Sequence, residues 1–203
     1  MKSDYYTLTR NANDFRAIPA EAERVAIYNK LGRKETMRLR LLAEELICML
    51  PQLLNYGAGK FWIENEGTAY ELHVSLTPDE FMTIDRDKLL SVSKSGKNAA
   101  AVGILSKICI AVEKMMSDRA KTTIDTPFDF YDMGMYNYGD YQAWSLMSYR
   151  SSVKTGCEQN NYESEVLRQQ WDELEKSLIT NLADDVTVGV KSGKVDITVI
   201  KKF

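Results

Sequence analysis

Two segments of the chain alternate apolar and polar residues with a period of two, and this pattern constrains the fold most. In the C-terminal segment, the alternating apolar positions on either side of Ser192-Gly193 are Val186, Val188 and Val190, then Val195, Ile197 and Val199. This alternation predicts a β-hairpin with one buried face and one exposed face. Because a half-buried sheet must be covered on its apolar face, helices are expected to form the second layer.

The second alternating segment lies in the first half of the chain. Residues 61–63 and 70–76 flank the turn-forming Asn65-Glu66-Gly67, which predicts another hairpin. The apolar positions of its second strand leave His73, the sole histidine of the chain, on the other face. We therefore expect His73 to face solvent and to have no ligand role.

Four stretches have helical patterns. They cover residues 18–31, with Pro19 in the first turn, then 35–55, 99–118 and 162–182. The second contains a buried stripe of Leu39, Leu42, Leu46, Met49, Leu50 and Leu53. With an opening strand at residues 5–8, the chain is expected to be one α+β domain spanning residues 1–203. Its mixed, mostly antiparallel sheet would have helices packed on one face.

Aromatic residues crowd residues 122–161, where helical periodicity is lost. We interpret this segment as an ordered insertion within the domain. Interleaved aromatics are typical of protein-binding surfaces, and equally of a small satellite core. The candidate partner-binding residues are Tyr131, Tyr136, Tyr138, Tyr141 and Trp144.

Composition and charge narrow the function classes. A formal net charge of -3 argues against nucleic acid as a partner. The chain has neither an apolar leader nor a membrane-spanning stretch, so a cytoplasmic protein is expected. The three cysteines suit neither a disulfide framework nor a zinc site, and Cys48 and Cys109 are expected to be buried. No metal ligands and no oligomeric state are assigned.

A short polar loop precedes the third predicted helix. Its residues Ser95, Gly96 and Asn98 are suited to a helix start, and Lys97 adds a positive charge. Backbone N–H groups at such a start are able to receive an anion. An ordinary helix cap with a solvated lysine is the alternative interpretation.

The order of these elements resembles the histidine-kinase-like ATPase fold, and residues 20–76 are similar to anti-sigma-factor serine kinases and related regulators. The resemblance is carried by Leu39-Arg40-Leu41-Leu42-Ala43-Glu44-Glu45-Leu46, by Asn55-Tyr56-Gly57 and by the first hairpin. It implies ATP and magnesium as ligands. It also implies a catalytic acidic residue at Glu44 or Glu45, and a glycine-containing nucleotide lid from Ser95 through Gly103.

Two expected motifs of that family differ in this chain. Cys48 and Met49 stand four residues after the two glutamates, where the family has a magnesium-binding asparagine. The Asp-x-Gly-x-Gly segment is missing after Leu76, although Asp79 or Asp85 remains a candidate for reading adenine. We therefore expect a regulatory protein with an eroded nucleotide site that acts by binding a protein, with or without ATP. The alternatives are an active ATP-dependent serine kinase and an unrelated α+β binding module.

Overall fold

The computed structural model describes most residues before position 80, all residues from position 177 onward and shorter ranges between them. The described residues are 1–9, 13–53, 55–79, 107–112, 115–116, 135–138, 141–159, 171–172, 174 and 177–203. The loop at Ser95 to Asn98, together with Asp85, Gly103 and Tyr131, lies outside these ranges.

The described elements follow one another as strand, two helices, two strands, two more strands, two helices and a final pair of strands. Their bounds are β1 Tyr6–Leu8, α1 Asp14–Tyr28, α2 Arg33–Leu53, β2 Tyr56–Glu66, β3 Ala69–Pro78, β4 Met135–Tyr138, β5 Tyr141–Ser145, α3 Leu146–Gln159, α4 Leu178–Leu182, β6 Asp185–Lys191 and β7 Lys194–Lys202. Residues 107–112 and 115–116 are also helical. No helix within the described ranges is long and apolar enough to cross a membrane.

All seven described strands belong to one sheet, in the order β1-β2-β3-β7-β6-β5-β4. Every neighbouring pair is antiparallel. The two hairpins therefore meet at the centre, where β3 pairs with β7. The α+β class and the antiparallel sheet are confirmed.

Both predicted hairpins are confirmed, and both have two-residue turns. In the first turn Gly67 has a φ of +60°, and in the second Ser192 and Gly193 have φ of 52° and 75°. Positive φ values at these positions match the right-handed twist of the flanking strands, which is why glycine is favoured there.

One face of the sheet forms the core with the helices. The inward positions of neighbouring strands align in rows, such as Phe61, Val74, Ile197, Val188 and Trp144. The predicted stripe of α2 and the helical residues Ile108, Ala111 and Val112 are buried in the same cluster. The opposite face carries the intervening, half-exposed side chains of β2, β3, β7 and β6. We call this second surface the open face.

The first helix begins earlier than predicted. It starts at Asp14, so Pro19 lies inside the helix rather than in its first turn. The buried Asp14 carboxylate accepts hydrogen bonds from the backbone N–H of Thr9 at 2.9 Å and from the hydroxyl of Tyr6 at 3.2 Å. These contacts with β1 and the residue after it fix the start of the helix at Asp14. The preference of proline for the first turn of a helix therefore predicted the wrong starting residue.

Two further expectations need correction. The last predicted helix is interrupted, because Ser177 has an extended backbone (φ -77°, ψ 129°) immediately before α4. Residues 146–159, where helical periodicity was judged to be lost, form helix α3, and residues 141–145 of the same aromatic-rich segment form β5, which pairs with β6 of the main sheet. The single-domain organisation itself stays a prediction.

Candidate functional site

The two candidate catalytic glutamates lie side by side on α2 in different environments. Glu44 is exposed, whereas Glu45 is half-buried. Burial, followed by repulsion from Glu44, raises the pKa of the Glu45 carboxyl. A raised pKa makes the Glu45 carboxylate a stronger base, which is the property that a general base requires.

Cys48 follows Glu45 by one turn of α2 and was expected to be buried. Its side chain is exposed, which corrects that expectation, whereas Cys109 is buried as predicted. Partial burial and the two carboxylates raise the pKa of the Cys48 thiol. A raised pKa reduces the thiolate fraction of a cysteine and so weakens it as a nucleophile.

The junction between α2 and β2 holds two other residues of the family resemblance. The backbone N–H of Asp79 donates to the carbonyl of Asn55 at 3.1 Å. The Asp79 carboxylate lies so close to Gly57 that a Cβ atom there would be 2.7 Å from its Oδ1. This junction brings Asp79, the candidate adenine-reading residue, to Asn55, which lies between the end of α2 at Leu53 and the start of β2.

Of the five candidate partner-binding aromatics, Trp144 is described completely. It is 0% exposed and contacts Tyr149 of α3, with ring centroids 6.2 Å apart. Trp144 therefore belongs to the core, as the satellite-core alternative implied, and not to a binding surface. Tyr136, Tyr138 and Tyr141 lie in β4 and β5, and their side chains are outside the described part of the chain.

The middle of the open face is built around His73. Its imidazole stacks on the indole of Trp62, with centroids 4.9 Å apart and an interplanar angle of 11°. The Nδ1 atom is 3.0 Å from the hydroxyl of Thr198, and Nε2 is 3.2 Å from the Glu71 carboxylate. The latter contact has ion-pair distance without hydrogen-bond alignment, and Nε2 is shielded from solvent.

The side chain of His73 is 16% exposed, so the expectation that it faces solvent is wrong in degree. It lies on the face predicted, but the indole of Trp62 covers it. Burial lowers the pKa of the imidazole, and this effect is opposed by the carboxylates of Glu64 and Glu71.

An exposed aromatic and lysine cluster continues the open face toward β1. The ring of Tyr5, 57% exposed, meets the indole of Trp62 edge to face at 5.2 Å. The ammonium of Lys2 lies 5.0 Å from the first ring centroid and 5.1 Å from the second, and that of Lys60 lies 5.5 Å from Tyr5. We call Lys2, Tyr5, Lys60, Trp62 and Glu64 the aromatic–lysine patch.

Glu64 holds the patch together. Its carboxylate accepts a hydrogen bond from the indole N–H of Trp62 at 2.8 Å and pairs with Lys2 at 2.8 Å. The Lys2 ammonium lowers the pKa of Glu64, and Glu64 in turn raises the pKa of Lys2. Trp62 is thereby fixed by Glu64 at its edge and by His73 on its face, which keeps the aromatic surface ordered.

Sequence reasoning assigned no role to this patch. Alternation along β2 does place Lys60, Trp62 and Glu64 on one face, so these three residues of the patch could have been grouped from the sequence. The pairing of β1 with β2, including the bridge between Lys2 and Glu64, was not predictable from alternation, and it is this pairing that brings Tyr5 to Trp62.

A comparison of the chain with family models, curated proteins and solved structures finds no match.

Proposed function

We propose that this chain is a regulatory protein that binds another protein through the open face of its sheet, on a fold of the histidine-kinase-like ATPase type. The observation that carries the proposal is the ordered aromatic–lysine patch on a face that the described core does not use. Tyrosine and tryptophan held rigidly at a surface lose little side-chain entropy on binding, and they are enriched among the residues that dominate protein interfaces.

The fold assignment is supported by the order of the elements. A strand, two helices and a hairpin come first, and the chain closes with a helix and a second hairpin that pairs with the first through β3 and β7. That is the order on which the resemblance rested. The substitutions at Cys48 and Met49 favour protein binding over catalysis, since neither side chain is a hard oxygen ligand for magnesium.

The test compares capture by two exposed-tyrosine variants. Tyr5→Ser removes the centre of the patch, and Tyr28→Ser, the control, removes a still more exposed tyrosine (71%) at the end of α1. From a lysate of the source cells, we expect at least one protein that the wild type and the control capture and Tyr5→Ser does not. Once purified, the captured partner is expected to protect residues 2–8 and 60–64 of this chain from hydrogen exchange. Identical capture by all three chains contradicts the proposal.

ATP binding is a second candidate activity, favoured by the half-buried Glu45 next to Glu44 on α2. Under this alternative, ligand at about 100 times its dissociation constant raises the free energy of unfolding by about 2.7 kcal/mol. We expect a higher unfolding midpoint with millimolar ATP and magnesium, and a smaller shift for Glu45→Gln. An unchanged midpoint would remove ATP from the proposed function and leave protein binding.

A further inference from the structure

We infer that the protein partner presents an acidic segment to the aromatic–lysine patch, an inference that rests on the proposed function. The charges of the patch are two lysine ammonium groups and one carboxylate. Lys2 is neutralised by Glu64 at 2.8 Å. Among the described residues, no carboxylate lies within ion-pair distance of Lys60, whose ammonium is 5.5 Å from the centroid of the Tyr5 ring.

The placement of the lysines argues against a purely apolar partner segment. The ammonium of Lys2 lies over both the Tyr5 and the Trp62 rings. An apolar side chain seeking those ring faces would have to displace a cation that the rings attract. A carboxylate instead approaches the ammonium of Lys60 from solvent and leaves the cation–ring contacts intact. An acidic group is therefore the occupant that the patch accepts without rearrangement.

The charge distribution also favours a protein over a nucleic acid. Binding to a phosphate backbone draws its affinity from several lysines or arginines that neutralise successive phosphates. The patch has a surplus of one positive charge, and elsewhere on the open face the carboxylates of Glu71 and Asp196 balance the ammonium groups of Lys194 and Lys202, which alternation along β7 places on the same face. A polyphosphate chain crossing this face would meet those carboxylates, whereas a short acidic segment is able to end at Lys60.

The experiment selects peptides from a random display library on the full chain. We expect the selected peptides to be enriched in Asp and Glu. With Lys60→Glu their affinity is expected to fall about tenfold or more, because tenfold corresponds to about 1.4 kcal/mol, the scale of one partly desolvated ion pair. Lys34→Glu, an exposed charge reversal on α2, is the matched control and is expected to change affinity little. A peptide with its acidic residue changed to Lys should regain affinity for Lys60→Glu.

The possible failures are distinguishable. Peptides that lose binding with Tyr5→Ser but show no acidic enrichment would overturn the inference and leave the proposed function standing. Peptides that bind Tyr5→Ser as well as wild type, or a library that yields no binder, would overturn both. Tight binding of a single-stranded oligonucleotide that is lost with Lys60→Glu would assign the patch to nucleic acid instead.

Discussion

His73 shows how one residue on an open sheet face acquires a core-like environment. The indole of Trp62 covers one side of the imidazole, and Thr198 satisfies one ring nitrogen. The second nitrogen is shielded from water and has only the Glu71 carboxylate beside it. In this setting the neutral imidazole fits the folded state better than the charged one, despite two nearby carboxylates.

This environment predicts a pH dependence of stability. Because burial lowers the pKa of folded His73 below the value of about 6.5 that it has in an unfolded chain, the unfolded state binds the proton more readily below that pH. We expect the free energy of unfolding to fall as the pH drops from about 6.5 toward 5, by at most about 1.4 kcal/mol per pH unit. Urea titrations across this range measure it.

His73→Gln is the control for that titration, since it keeps a polar side chain without the titration. Its unfolding free energy is expected to depend less on pH over the same window. The chain has no other histidine, and the raised pKa of Glu45 acts in the opposite direction by favouring proton uptake in the folded state. Parallel pH profiles for the two proteins would contradict the assignment.

At the scale of elements, Ser145 and Asp185 join a strand, a helix and a second strand. The backbone N–H of Ser148 donates to the Ser145 hydroxyl at 3.3 Å, which caps the start of α3. That hydroxyl donates to the Asp185 carboxylate at 3.0 Å, which also accepts from the N–H of Met147 at 2.8 Å. The start of α3 is therefore held by β6 as well as by its own cap residue.

Ser145→Ala is expected to lower the free energy of unfolding by about 1 to 2 kcal/mol, because it removes the cap and one hydrogen bond of a buried side chain. Ser151→Ala is the matched control, since Ser151 is exposed on the same helix and alanine is the better helix former there. Chemical denaturation of both variants measures the difference. Equal stabilities would mean that Asp185 alone positions the helix.

The elements that sequence patterns located well are those whose signal is local. The two hairpins and the stripe of α2 follow from alternation and helical period. The start of α1 and the break at Ser177 were not predicted from these patterns. Contacts of Asp14 with Thr9 and Tyr6 determine the first, and the extended backbone of Ser177 produces the second. Strand β5 was missed because the aromatic-rich segment shows no clear periodicity, and long-range pairing with β6, which buries Trp144, defines the strand.

For the molecule as a whole, strands β4 and β5, the described strands of the aromatic-rich segment 122–161, form one edge of the sheet. Within that segment, β5 covers the edge of β6, and Trp144 packs in the same row as Val188. We expect deletion of residues 122–161 to abolish cooperative unfolding, because β6 would lose its neighbour and the core its buried indole. Trp144→Ala, a smaller change, is expected to lower the free energy of unfolding by about 3 to 5 kcal/mol.

Circular dichroism during thermal unfolding compares the deletion variant with the full chain. A retained two-state transition after deletion would show that the segment is dispensable for folding and would support its interpretation as an insertion. The candidate site could also be predicted only in part. Alternation along the sequence indicates the β2 side of the patch, whereas Tyr5 reaches it through strand pairing across more than fifty residues.

The stacking of Trp62 on His73 has a practical consequence. An indole whose face is against an imidazole has an emission that responds to the charge on that ring and to whatever shields its exposed edge from water. Trp144 is sealed inside the protein and Trp171 is half-buried, so comparison with a Trp62→Phe variant assigns the responsive emission to Trp62. Unlabelled protein thus contains its own optical reporter for occupancy of the sheet surface and for proton uptake beneath it.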